Sequence, residues 1–108
     1  MTEFVIVLTT LPVEADADAI VTALVEERLV ACANVLPAMQ SVYRWQGHVE
    51  KAEERQVVMK TTSAQVPPLQ SRLQTLHPYD VPEFLVLAVA GGAEAYLRWM
   101  ADSTNGRA

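Results

Sequence analysis

The sequence predicts an α+β domain built on an antiparallel sheet, and three observations carry that reading. Two runs that are apolar at nearly every position, Phe4-Val5-Ile6-Val7-Leu8 and Phe84-Leu85-Val86-Leu87-Ala88-Val89-Ala90, read as strands near the two ends of the chain. Inside them lie two segments with apolar residues at helical spacing, Ile20 to Leu29 and Leu69 to Leu76. Between the helices a long alternating stretch, from about Cys32 to Thr62, folds back on itself at Gln46-Gly47-His48. The order is strand, helix, strand, strand, helix, strand and a further C-terminal helix, which is the ferredoxin-like βαββαβ pattern with one helix added.

Each element has its own justification. The first strand, apolar at both alternations, is expected to be buried on both faces and to end at Thr9-Thr10-Leu11-Pro12. Asp16 caps the first helix, whose stripe is Ile20, Val21, Leu24, Val25 and Leu29, with Glu26, Glu27 and Arg28 on or near its wet side. The hairpin's first arm runs from Cys32 to Trp45 with a bend at Pro37, and its second from Val49 to about Thr62. On the second arm Glu50, Ala52, Glu54, Gln56, Val58 and Lys60 share one face. Ser63 is placed to cap the second helix, whose first turns hold the awkward pair Pro67-Pro68. After the last strand, Gly91-Gly92 lead to a short helix with Tyr96, Leu97 and Met100 inward and Trp99 beside them. Residues 1–108 form one domain, with residues 103–108 expected to be a flexible tail.

In this architecture both crossover helices cover the same sheet face, so the other face should turn polar in a monomer. Here the terminal strands are apolar at both alternations, which predicts a greasy face in need of a partner. The hairpin points the same way. Arms of about 14 residues extend ~45 Å, whereas a compact chain of this size has a radius of gyration of only ~13 Å. A homo-oligomer follows, with sheets packed face to face and hairpin tips reaching neighbouring subunits.

Composition narrows the function. Of 108 residues, 51% are hydrophobic and 19% charged, which is globular, and the net charge of −5 disfavours a nucleic-acid backbone or an anionic membrane as partner. The N-terminus lacks a basic region, and its apolar run is too short for a signal sequence or a membrane span, so no membrane insertion and a cytoplasmic location are expected. The single cysteine, Cys32, sits among Ala31, Ala33 and Val35 and reads as a small core side chain. Met39, Met59 and Met100 are scattered and also read as core.

The most informative segment is His77-Pro78-Tyr79-Asp80-Val81-Pro82-Glu83, which stops a helix and starts a strand. Pro78 cannot continue the helix and biases His77 out of helical dihedrals, placing the imidazole at a helix C-terminus. If a hairpin tip from one subunit reaches this turn on another, Glu50, Glu54, Lys60, His77, Tyr79 and Glu83 become a polar set walled by Tyr43 and Trp45.

Ala31-Cys32-Ala33-Asn34, Tyr43-Arg44-Trp45-Gln46-Gly47-His48-Val49-Glu50, Lys60-Thr61-Thr62, His77-Pro78-Tyr79 with Pro82-Glu83, and Tyr96-Leu97-Arg98-Trp99 are the words on which the chain resembles the CutA family of divalent-cation tolerance proteins. The likeness runs from about Val5 to Trp99. It implies a ferredoxin-like homotrimer similar in shape to the PII signalling proteins. It further implies a cytoplasmic role in tolerance of copper or other divalent cations, with no established reaction. The family's copper-binding version carries a cysteine on the first strand and two consecutive histidines before Pro-Tyr. Thr9 and Leu76 stand at the cysteine and first-histidine positions, which leaves His77 a weak metal ligand and a poor copper site.

The favoured reading is therefore a trimer that binds or senses a metal ion or small molecule at its subunit boundaries, through Tyr43, Trp45, Glu50, Lys60, His77, Tyr79 and Glu83. An enzyme using His77 as general acid or base, with Lys60 stabilising an anion, is the alternative, though no nucleophile motif, dinucleotide fingerprint or phosphate loop supports it. A purely structural, PII-like scaffold trimer is another. RNA binding is set aside, because the strand positions that would stack bases are Val57, Met59 and Thr61.

Overall fold

A computed structural model describes residues 3–105. The elements run β1 (Phe4–Pro12), α1 (Ala17–Glu26), β2 (Cys32–Val35), β3 (Met39–Trp45), β4 (His48–Thr62), α2 (Val66–Leu76), β5 (Leu85–Ala88) and α3 (Glu94–Thr104), with a 3-10 turn, Ser63–Gln65, before α2. All strand pairs are antiparallel, in the order β2-β4-β1-β5, and β3 pairs with the first half of β4. This is the expected ferredoxin-like α+β sheet. Its long central strand, β4, carries β3 on its tip half and β1 and β2 on the rest, and the first hairpin arm breaks at residues 36–38 around Pro37.

Alternation along β1 sets the two faces. Val5, Val7 and Leu11 turn inward with Val57 and Met59 of β4, and Val21 and Leu24 of α1 and Leu69 and Leu73 of α2 close over them. The opposite alternation, Ile6, Leu8 and Thr10, pairs across with Lys60, Val58 and Gln56 on β4, and Ile6 and Leu8 also pair with Leu87 and Leu85 on β5. On that side Ile6 and Leu8 are only half-buried, and the edge strand β5 is exposed on both alternations, Leu85 at 56%, Val86 at 47% and Leu87 at 47%. The last strand is thus shorter than the run 84–90 and is not buried within one chain.

Local chemistry explains the boundaries. Asp16 accepts from the Ala19 N–H at 3.0 Å, capping α1 as its sequence position predicts. At the other end Arg28 adopts φ 62°, with Arg28 N–H bonded to the Val25 carbonyl and Leu29 N–H to the Leu24 carbonyl, a Schellman ending with arginine where glycine is usual. Its guanidinium reaches the Ser103 carbonyl at 3.3 Å and ties this corner to α3. Ser63 does not cap α2. The N-cap position is Gln65, and Pro67 and Pro68 fall in the first turn, where no helical N–H partner is needed, so the pair fits without distortion. The hairpin turn is tighter than expected: Gln46 and Gly47 alone form it, both at positive φ, and His48 already pairs with Trp45. On α3, Met100 is buried, but Tyr96 stays exposed and stacks beside Trp99 at 5.3 Å, because the helix lies over β4 by its other side. Ser103 and Thr104 belong to α3 and Thr104 is buried, so the ordered chain passes the expected start of the tail; residues 106–108 lie outside those described.

Thr9 is 1% exposed on the core-facing side of β1, and among the described residues its hydroxyl finds no hydrogen-bond partner. A buried donor left unmade costs about 1–3 kcal/mol. Thr9→Val keeps the shape and removes that cost, so its urea midpoint should rise, by about 1 kcal/mol of stability. A fall would reveal a partner to the hydroxyl.

The molecule spans 44 × 27 × 24 Å, and its radius of gyration, 14.5 Å, exceeds the ~13 Å of a compact chain. The excess is the hairpin. Residues 42–51 are exposed, including Val42, Val49 and Trp45, the last at 48%.

Candidate functional site

Where β1 ends and β4 enters the hairpin, the turn after α2 is pinned to the open sheet face by three side chains. His77, at the C-cap of α2, has φ −79° and ψ 137°, the extended geometry that Pro78 imposes. Its Nε2 lies 2.6 Å from the Thr10 carbonyl oxygen, and its Nδ1 accepts the Tyr79 N–H at 3.1 Å. A carbonyl can only accept, so Nε2 carries the proton and Nδ1 the lone pair, the neutral tautomer. The ring is 6% exposed and lies against Tyr79, centroids 4.9 Å apart. His77 is a rivet between the turn and β1, with neither nitrogen free for a metal or a proton in flight.

Tyr79 and Glu83 make the other two links. The Tyr79 hydroxyl donates to Glu54 Oε2 at 2.7 Å, and burial, reinforced by that carboxylate, pushes the phenol well above its ordinary pKa. Gln56 Nε2 donates to the Thr9 carbonyl at 2.7 Å and to Glu83 Oε2 at 2.9 Å. Glu54 is 6% exposed, a buried carboxylate, and among the described residues no lysine or arginine pairs with it.

Outside this frame a cleft of about 650 Å³ opens between the turn and β3. Tyr43, Trp45 and Tyr79 supply aromatic walls, Met39, Val42 and Val81 apolar ones, and Glu54, Asp80 and Glu83 carboxylates; among the described residues no lysine or arginine lines it. The size and the mixture are those of a small-ligand site.

Of the residues singled out in the sequence, Tyr43, Trp45, Glu54, Tyr79 and Glu83 meet here. His77 stands behind the wall. Glu50 and Lys60 do not reach it within one chain: Glu50 is exposed opposite Tyr43 near the hairpin tip, and Lys60 lies opposite Ile6 and Cys32. The alternation that puts them on one face also spreads them over ten residues of strand, roughly 33 Å. Met39 lines the cleft and is not core. Gln56 and Thr10, which were not among the candidates, join Glu54 in carrying the interior polarity. The signal for Gln56 was its shared alternation with Glu54 and Val58 on the half of the strand that pairs with β1.

Copper does not fit these residues. Thr9 presents a hydroxyl to the core, both His77 nitrogens are committed, Cys32 sits half-buried on β2 opposite Lys60, and no three of His, Cys, Asp and Glu converge among the described residues. Among those residues no helix is long and apolar enough to cross a membrane.

The comparisons agree with the fold. The family model of the CutA1 divalent ion tolerance protein matches residues 5–103. The "Divalent-cation tolerance protein CutA" of Thermus thermophilus is 46% identical over 100 residues, covering 93% of this chain and 97% of the relative. "Protein CutA, chloroplastic" of Arabidopsis thaliana is 35% identical over 94% of this chain and 56% of its own length. Among solved structures, the divalent cation tolerance protein of Thermus thermophilus superposes with a TM-score of 0.91 at 45% identity, covering 94% of this chain and 99% of that one. CutA of Xylella fastidiosa also gives 0.91, at 36% identity over 96% and 100%.

Proposed function

The chain belongs to the CutA1 divalent ion tolerance family, and from that premise we propose that it acts as a homotrimer whose clefts, at the subunit boundaries, bind a small ligand. The family carries the name of divalent-ion tolerance and of no reaction. The observation that carries the proposal is exposed apolar surface in two places: Leu85 and Leu87 on the edge strand β5, and Val42, Trp45 and Val49 on the hairpin. A lone subunit gains nothing from that exposure, whereas copies of itself bury it. The cleft opens between the turn after α2 and the hairpin, so a neighbour packed there closes it. Glu50 and Lys60, stranded within one chain, enter as residues that one subunit brings near another's turn. The working compartment is the cytoplasm, consistent with a free cysteine and an acidic surface. Tolerance of metal ions then follows from the ligand the cleft senses and not from copper held by His77.

Native mass spectrometry tests this. The wild type should appear as a trimer, and Trp45→Ala should loosen it by about 2 kcal/mol or more, the cost of an aromatic anchor at an interface. A monomer over a wide concentration range would sink the proposal.

A further inference from the structure

We propose that the cleft takes an organic ammonium ion, a protonated amine on an apolar or aromatic body, with Glu54 as its counter-charge. The assignment rests on reading the cleft as a ligand site and names the ligand's class. Two independent features of the cleft point to it.

The first is charge. Glu54 is buried at 6% exposure, accepts one hydrogen bond, from Tyr79, and among the described residues has no cationic partner. Desolvating a carboxylate without a counter-charge is costly, and a cation placed beside it offsets that cost. Asp80 and Glu83 line the same cleft and add to the negative field. An anionic ligand would meet three carboxylates and, among the described residues, no lysine or arginine.

The second is the wall. Tyr43, Trp45 and Tyr79 face the cavity with Met39 and Val81 between them. A hard metal ion wants six or more converging oxygens, and no three metal-ligating side chains converge among the described residues. An ammonium on an apolar stem wants what is present: a carboxylate for the head, aromatic faces for the cation and apolar surface for the stem. Tyr79 joins the two features, since its hydroxyl orients Glu54 while its ring is part of the wall.

The test is calorimetric titration of the full chain with 2-phenylethylammonium, 2-phenylethanol and 3-phenylpropanoate, with the assembly state read in parallel by native mass spectrometry. The ammonium should bind about tenfold or more tightly than the neutral alcohol, the least that one buried charge pair supplies, and the carboxylate should bind weakest. Glu54→Gln keeps an acceptor for Tyr79 and should abolish the preference for the ammonium over the alcohol. Should that variant fail to fold, the wild-type comparison of ammonium with alcohol decides alone. Equal binding of the two, or tighter binding of the carboxylate, overturns the assignment. A trimer that binds none of the probes, its cleft filled by a basic side chain of the adjoining subunit, overturns it too and leaves the trimer standing. A monomer that still selects the ammonium supports it and removes the subunit boundary instead.

Discussion

Aspartate placed at both Leu85 and Leu87 is expected to convert the assembly into folded monomers. Both side chains are about half exposed in the single subunit, so the substitution costs little there. In the assembly the same carboxylates would be desolvated against a neighbour's apolar face without partners, at several kcal/mol each. Light scattering at micromolar concentration reports the mass and far-ultraviolet circular dichroism the fold. A doubly substituted protein of unchanged mass would mean that the open face is not the contact surface.

His77→Ala is expected to cost the subunit about 2–4 kcal/mol, the sum of a cavity and two orphaned backbone groups. The Thr10 carbonyl loses its donor and the Tyr79 N–H its acceptor, both beneath the cleft, and the turn 78–83 is released from β1. Tyr79 then no longer holds Glu54 in place, so affinity for an ammonium probe should fall with stability although His77 itself touches no ligand. Urea unfolding of the variant gives the first number and calorimetry the second. An unchanged unfolding midpoint would contradict the riveting role and return His77 to the set of free ligands.

Much of this was legible in the sequence because it depends on local chemistry. Asp16 before a helical stripe, Gly47 at a hairpin turn, Pro78 after His77 and the continuous apolar strands each fix an element by sterics or capping. Where the reading and the structure part, nonlocal geometry decides. Phe84 to Ala90 has the composition of a buried strand, yet whether β5 is covered depends on where the helices lie and on other copies of the chain. Tyr96 at a helical position gives no sign of which side α3 turns to β4. At the site, aromatic Tyr43, Trp45 and Tyr79 and acidic Glu83 were visible as a group because they flank the two turns. Glu50 and Lys60 were not separable from Glu54 by alternation alone, since parity along a strand fixes a face and says nothing of distance along it. The commitment of both His77 nitrogens needed β1 to pass beneath the turn, a contact 67 residues away in sequence.

The most direct test of the central claim, that copies of this chain cover the open face and close the cleft, is an isotope-filtered nuclear Overhauser experiment. Subunits with labelled leucine methyls are reassembled with unlabelled ones, and only contacts between subunits are observed. The methyls of Leu85 and Leu87 should show cross-peaks to protons of an unlabelled subunit, with aromatic protons of Trp45 or Tyr43 of one subunit near the turn of another. Methyls of Leu85 and Leu87 that see only their own chain, in a sample proven to exchange subunits, would contradict the account.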